Sequence, residues 1–269
     1  MPHKIFFMHI AKTAGSYINH LFENSLGPDK VIVHGEVKIR NRENFGRLVE
    51  SGVEFFSGHI YHRLWLEFAK DTPDQFKMIT VLRDPIEHLA SHILWLDHYN
   101  LPEKRAGYMG LSEPARRIVD LIGQIDLGSP SDLDHFVTHL SPAAVKLLDN
   151  CQSRYFLCGP GSAVADHEPI TLRHCSAILS AAGNFDVILL QNDLDAGIAT
   201  MNQLLGINVA PRSERINEAK SARRIDTSNP LIRSILSKRV TVDSWLWRHV
   251  TSAKKADKEK FRQPEAGVS

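Results

Sequence analysis

Short apolar runs alternate with longer stretches of helical periodicity along this chain of 269 residues. A compact apolar run that ends in small or polar turn residues is typical of a buried strand. The strands predicted in this way cover Lys4 to Ile10, Val31 to Val33, Val53 to Ser57, Met78 to Leu82 and Phe185 to Leu190.

Apolar residues that recur every three or four positions predict helices between these strands. Asp84 is a good N-cap for one of them, which Pro85 opens. The predicted helices begin near Ser16, Asn44, Pro85 and Ala196, and two more follow Pro230. The segment from Leu101 to Cys151 has short amphipathic pieces broken by Gly and Pro and no strand pattern, so it is predicted to be a helical insertion.

Strands that alternate with helices predict an α/β fold, with a central and mostly parallel sheet flanked by helices. We expect a single domain over residues 1–252, followed by a polar tail over residues 253–269 that is frayed or disordered. In sheets of this kind, ligands bind at the carboxyl ends of the strands. The residues that follow the predicted strands are therefore the candidates for a functional site.

Composition narrows the class of protein. The chain is 43% hydrophobic and 23% charged, as globular proteins are, and its 32 basic residues balance 31 acidic ones. No overall field attracts nucleic acid or a membrane, so any anion site must be local. Three cysteines do not make a secreted disulfide framework, and no run is long and apolar enough for a signal peptide or a membrane span. We expect a cytoplasmic protein with no nucleic-acid partner and no transmembrane segment.

Two strand-to-helix junctions carry residues suited to anions. At the first, Lys12, Thr13, Ala14, Gly15 and Ser16 place a lysine, hydroxyls and small residues where a strand meets a helix. The backbone N–H groups at such a helix start can bind a phosphate, and the lysine can reach a bridging oxygen. The spacing differs from that of a Walker A loop, which disfavours a nucleoside triphosphatase or a small-molecule kinase.

At the second junction, Arg83 ends a strand and Ser91 lies about two helical turns into the next helix. This pair can bind a second phosphate, with forked contacts from the guanidinium. Each junction alone also has an ordinary structural explanation, as a turn or as a structural ion pair. Both together indicate a ligand with two anionic groups.

With these motifs the chain resembles the sulfotransferases that use 3′-phosphoadenosine 5′-phosphosulfate (PAPS), in particular the carbohydrate group that includes heparan sulfate 2-O-sulfotransferase. Residues 9–16 resemble the family's 5′-phosphosulfate loop, and Arg83 to Ser91 resemble its 3′-phosphate motif. Asn150 to Gly159 and Asp243 to Trp247 resemble two later segments, and Ala11 departs from the family's usual proline. The resemblance implies a P-loop-like sulfotransferase fold, with PAPS as donor and a saccharide hydroxyl as acceptor.

The resemblance also implies a catalytic base, because the carbohydrate enzymes use a histidine after a glycine. His59 follows Gly58 here, and an imidazole can take a proton from a hydroxyl near neutral pH. His62 remains a competitor for this role. His59 and His62 could also form a metal pair, but no cysteine or acidic ligand stands nearby, so no metal is expected.

In the resulting hypothesis, His59 deprotonates the acceptor and Lys12 neutralises charge on the leaving oxygen. The rival is a phosphate-binding module of the same fold without transfer activity. Such a module also needs Lys12 and Arg83, but it has no need of a histidine beside them. The two hypotheses therefore differ at His59.

Overall fold

The computed structural model describes residues 3–210 and 223–260 of the chain. The strands are β1 (Lys4–Met8), β2 (Val31–Ile32), β3 (Phe55–Gly58), β4 (Phe76–Leu82) and β5 (Val187–Leu190). Each falls where an apolar run predicts a strand. β1 is shorter than the predicted Lys4 to Ile10, because the chain leaves the sheet at His9 to begin a tight turn.

Helices fill most of the remaining sequence. In the first half of the chain they are α1 (Gly15–Leu26), α2 (Gly35–Lys38), α3 (Arg42–Glu50), α4 (His62–Phe68), α5 (Pro85–Asp97), α6 (Arg105–Gly110) and α7 (Glu113–Gln124). In the second half they are α8 (Pro130–Thr138), α9 (Pro142–Leu148), α10 (Cys151–Leu157), α11 (Cys175–Ala182), α12 (Leu194–Leu205), α13 (Pro230–Ser237) and α14 (Thr241–Lys260).

The five strands form one sheet in the order β2-β3-β1-β4-β5, and every pair of neighbours is parallel. The predicted α/β class with a central parallel sheet flanked by helices is confirmed. β1 lies at the centre, between β3 and β4. The ends of these three strands therefore lie side by side at one edge of the sheet.

Alternating side chains of β1 supply both layers of the core. Ile5 and Phe7 face a cluster formed with α1, α12 and the inward side chains of β4. Phe6 and Met8 face the opposite cluster, to which α4, α10, α11 and α14 contribute. Phe6 stacks on Trp65 of α4, with ring centroids 3.8 Å apart. Burial on both faces explains why the strand is apolar at successive positions.

The predicted helical insertion is present as α6 to α9, together with short 3₁₀ segments. Its apolar residues do not join the sheet layers. They form a third cluster with α5 and α13, in which Ile93, Ile122 and Leu236 are buried. Helix α5 thus begins at the edge of the sheet and continues as part of the core of the insertion.

The last helix, α14, reaches Lys260, so the first part of the segment 253–269 is helical. The rest of that predicted tail lies outside the described residues. Within residues 3–210 and 223–260, no helix combines the length and the hydrophobicity that crossing a bilayer requires.

Candidate functional site

Three candidate residues follow three neighbouring strands. Lys12 lies in the loop after β1, His59 comes directly after β3, and Arg83 comes directly after β4. The structure therefore brings these residues together at one edge of the sheet, although 71 residues separate Lys12 from Arg83. The carboxyl edge of a parallel sheet is the usual ligand site of such folds.

The loop between β1 and α1 has an unusual backbone. Lys12 and Ala14 both adopt left-handed conformations, with φ of 66° and 81°. Non-glycine residues rarely do so, and such strain is concentrated at functional sites. The buried Thr13 stabilises the turn by donating its hydroxyl to the carbonyl oxygen of Ile10 at 2.8 Å. The Thr13 side chain therefore supports the loop from inside.

Helix α1 begins without a side-chain cap on its free N–H groups. Its first residue, Gly15, packs directly against the imidazole of His9. A β-carbon at Gly15 would lie 1.8 Å from Cδ2 of His9, so only glycine fits there. Ser16 is exposed next to it. The start of α1 thus offers uncapped backbone donors and an exposed hydroxyl, which together suit an anion.

Within the described parts of the chain, the guanidinium group of Arg83 has one hydrogen bond and one nitrogen without a partner. Its Nη1 donates to the carbonyl oxygen of Lys12 at 3.3 Å. Its Nε is buried and has no hydrogen-bond partner among the described residues. A buried guanidinium nitrogen without an acceptor is costly, which makes Arg83 a ready donor to a bound anion.

Lys12 and Arg83 form a pair of half-buried cations. Burial lowers the pKa of Lys12 below its ordinary value, and the nearby charge of Arg83 lowers it further. Neither residue forms a salt bridge in the described parts of the chain. The negative charges of Glu87 and Asp84 offset part of the charge of Arg83, and anionic ligand groups beside the two cations would reduce the repulsion that remains.

Ser91 is half-buried on α5, one turn beyond His88. His88 is fully buried, and its Nε2–H donates to the carbonyl oxygen of Ala11 at 2.7 Å. Burial lowers the pKa of His88 to about 4, so the imidazole is neutral at pH 7. No sequence motif predicted a role for His88, which ties helix α5 to the loop that carries Lys12.

His59 is exposed and held in one orientation. Its Nδ1–H donates to the carbonyl oxygen of His9 at 2.7 Å, and its ring lies 4.4 Å from the His9 ring. The hydroxyl oxygen of Tyr155 lies 3.3 Å from the same nitrogen. Since a carbonyl oxygen only accepts, Nδ1 carries a hydrogen, and in the neutral imidazole Nε2 then keeps its lone pair. This is the tautomer in which Nε2 can act as a base.

The backbone around His59 is fixed by helix α2. A carboxylate oxygen of Glu36 accepts from the N–H of His59 at 2.9 Å. The close approach requires Gly58, because a β-carbon there would lie 2.6 Å from that oxygen. This steric restriction explains why a glycine precedes His59.

His62 lies in a different environment. It is 3% exposed and packs against Phe185, and its Nε2 lies 3.4 Å from Nδ2 of Asn184. Burial lowers its pKa to about 4, and the charge of Arg63 contributes. These contacts are those of a core histidine.

Gln152 and Asp243 support Arg83, and they belong to the segments Asn150 to Gly159 and Asp243 to Trp247 that carry two of the sequence resemblances. The side-chain amide of Gln152, at the start of α10, accepts from the N–H of Arg83 and donates to its carbonyl oxygen. The carboxylate of Asp243 accepts from the N–H of Gln152 at 3.1 Å and of Ser153 at 2.7 Å. The start of α14 thus fixes α10, which in turn fixes Arg83.

An open cleft of about 650 Å³ adjoins His59. Tyr61 and Tyr155 form part of its wall, with their rings edge to face at 5.1 Å. Lys146 and Asp166 lie on the wall as well and form a salt bridge of 2.7 Å. The cleft therefore combines aromatic and charged groups next to the candidate base.

No family model and no curated protein matches this chain. Among solved structures, the crystal structure of the mouse sulfotransferase SULT7A1 complexed with PAP matches with a TM-score of 0.38 and 13% sequence identity. The match covers 87% of this chain and 65% of that chain, so about a third of the mouse protein has no counterpart here. A similarity at this level assigns neither a family nor an activity.

Proposed function

We propose that this protein is a sulfotransferase that moves a sulfuryl group from PAPS to a hydroxyl of a carbohydrate. One observation carries the proposal: Lys12, His59 and Arg83 follow neighbouring strands and meet at one edge of the sheet. Two cations suit a donor with two anionic groups, and a histidine beside them suits an acceptor hydroxyl. The resemblance in the two loop motifs points in the same direction.

The residues at this edge fit such a nucleotide. The N–H groups at the start of α1 and the Lys12 ammonium would hold its 5′ end, and Thr13 to Ser16 form that loop. Arg83, with its unpartnered Nε, and Ser91 would hold the 3′-phosphate. When PAPS is bound, it supplies the sulfuryl group that is transferred.

The chain itself supplies proton transfer and charge. His59 donates its Nδ1–H to His9, which leaves Nε2 of the neutral imidazole to take the proton of the attacking hydroxyl. Lys12 stabilises the negative charge that develops on the leaving oxygen. Because both groups lie on segments fixed by the sheet, most of the catalytic effect is expected from positioning.

The cleft beside His59 is the proposed acceptor site. The rings of Tyr61 and Tyr155 offer flat apolar surfaces, and Lys146 and Asp166 offer a donor and an acceptor to hydroxyl groups. This combination suits a sugar better than a purely apolar acceptor. We place the reaction in the cytoplasm, which fits three free cysteines in the chain.

The rival function is binding of a phosphate ligand without transfer. It accounts for Lys12 and Arg83, but it gives no reason for His59 to be exposed and fixed with a free Nε2. The orientation of His59 therefore favours the enzyme.

Calorimetric titration with adenosine 3′,5′-bisphosphate, beside adenosine diphosphate, tests the donor site. We expect a dissociation constant in the micromolar range for the bisphosphate and clearly weaker binding of the diphosphate. Equal affinity for the two nucleotides, or no binding, would remove the donor assignment. Transfer of radiolabelled sulfate from PAPS to a panel of saccharides then tests the enzyme, and tight binding without transfer to any saccharide would favour the rival.

A further inference from the structure

Two histidines and a cysteine meet in the core behind the loop that carries Lys12. His88 and His92 lie four residues apart on α5, and Cys151 is the first residue of α10. One ligand atom from each of the three lies within 4.8 Å of the other two. All three residues are buried, with exposures of 1%, 3% and 7%.

This set supplies three of the four ligands that a zinc-class ion usually takes. Two histidines four residues apart on a helix present their rings on one face, which is a common arrangement for binding one metal ion. Imidazole nitrogen and thiolate sulfur are preferred ligands of Zn²⁺, at about 2.0–2.1 Å and 2.3 Å. Ligand atoms within 4.8 Å of one another need only small side-chain rotations to reach one ion at these distances.

Two further observations distinguish this cluster from a chance grouping of buried side chains. Nδ1 of His92 is buried and has no hydrogen-bond partner among the described residues, although buried polar atoms are normally paired. His88 donates its Nε2–H to the carbonyl oxygen of Ala11, which leaves Nδ1 as its free ligand atom. Metal-binding histidines typically donate their second N–H to such a carbonyl.

We propose that His88, His92 and Cys151 form a site for one borderline-soft divalent ion, with Zn²⁺ as the expected occupant. Binding forms two bonds to nitrogen and one to sulfur, and the thiol proton of Cys151 is released to the solvent. The thiolate offsets one of the two positive charges of the ion. Through His88 and Ala11, the ion is joined to the loop of Lys12, so it fixes α5, α10 and that loop relative to one another.

The site is independent of the proposed sulfotransferase activity, and its test requires no turnover. The full chain, freed of metal with a chelator, is titrated with Co²⁺ while the near-ultraviolet absorbance is recorded, since Co²⁺ bound to thiolate gives a charge-transfer band. We expect one equivalent of Co²⁺ to produce this band and Zn²⁺ to displace it. A band no stronger than that of Cys151→Ser would overturn the proposal.

Matched variants test the ligands one at a time. Cys151→Ser should abolish the band, and His92→Gln should weaken Co²⁺ binding at least tenfold. The half-buried Cys175 is the control for the thiol, and Cys175→Ser should leave the titration unchanged. The exposed pair His135 and His139 has the same spacing, so His135→Gln controls for a histidine pair without a cysteine.

Near-ultraviolet circular dichroism shows whether each variant is folded. If Cys151→Ser does not fold, the comparison of wild type with His92→Gln decides. Binding that His92→Gln leaves unchanged, or that Cys175→Ser removes, would mean that the ion binds elsewhere and that the cluster is only part of the core.

Discussion

The side-chain amide of Gln152 binds both backbone polar groups of Arg83: Oε1 accepts from the N–H at 2.9 Å, and Nε2 donates to the carbonyl oxygen at 3.0 Å. Two hydrogen bonds from one rigid amide fix the peptide units on both sides of the arginine. Gln152 is 1% exposed, so water cannot replace it. The backbone from which the Arg83 guanidinium extends is therefore held by a residue of helix α10.

Replacing Gln152 with Glu should disturb this arrangement without a change in size. The carboxylate has no donor for the carbonyl oxygen of Arg83, which would lose its partner and face a negatively charged oxygen. Loss of this hydrogen bond lowers the free energy of unfolding by about 1–3 kcal/mol. Urea denaturation measures this loss, and calorimetry should show weaker binding of adenosine 3′,5′-bisphosphate. The same substitution at the exposed Gln124 should change neither quantity.

Arg83 and Lys12 should differ in what their removal affects. Arg83→Ala should weaken binding of adenosine 3′,5′-bisphosphate by about 2 kcal/mol, because a charge-assisted contact is lost. Lys12→Ala should mainly lower kcat, because its charge is used as the leaving oxygen becomes negative. Calorimetry and single-turnover transfer separate the two effects. Normal nucleotide binding by a folded Arg83→Ala variant would show that the anion site lies elsewhere.

His59→Ala should lower the rate of transfer by about 100-fold or more, with nucleotide affinity nearly unchanged, as expected when a general base is lost. The control is His62→Gln, at a buried position away from the cleft, which should keep most of its turnover when folded. Transfer is measured with radiolabelled PAPS and an acceptor found by screening. A collapse in the His62 variant with full turnover in the His59 variant would move the role to His62, and turnover in both would exclude a histidine base at this position.

The burial of His62 predicts a pH dependence of stability. Its pKa is lowered from 6.5 to about 4 in the folded chain. As the pH falls, His62 therefore binds a proton in the unfolded chain before it does so in the folded chain. The stability that the neutral ring contributes is fully present above pH 6.5 and is lost as the pH falls towards 4. Over this range one extra proton binds to the unfolded state, which costs about 1.4 kcal/mol per pH unit.

His62→Gln should remove this contribution, so the free energy of unfolding should depend less steeply on pH between 4 and 6.5. Urea denaturation at intervals of pH, with a chelator present, gives the slope. His139→Gln, at an exposed position, is the control and should retain the slope of the wild type. An unchanged slope in the His62 variant would show that the pKa of this ring is the same in the folded and the unfolded chain.

The sheet was predictable from the sequence because strands buried on both faces require successive apolar residues. Lys12, His59 and Arg83 could be placed at one edge for the same reason, since parallel strands end at the same edge. The backbone of the Lys12 loop was not predictable, because no glycine marks its left-handed positions.

Contacts between residues that are far apart in the sequence could not be predicted either. Gln152 lies 69 residues from Arg83, and His88 lies 77 residues from Ala11, and nothing local in the sequence pairs them. The spacing of His88 and His92 on a predicted helix was a signal for a metal site, but only the packing of α10 against α5 brings Cys151 to them. Partners of this kind depend on tertiary structure, where sequence patterns carry the least information.

The adjacency of β3, β1 and β4 has a consequence for ligand choice. Neighbouring strands lie about 4.8 Å apart, so the segments that follow these three strands start within about 10 Å of one another. The separation between the proposed anion-binding residues after β1 and β4 is therefore set by the sheet, which is packed on both faces. The proposed site therefore selects a ligand by the distance between its two charged groups as well as by its total charge.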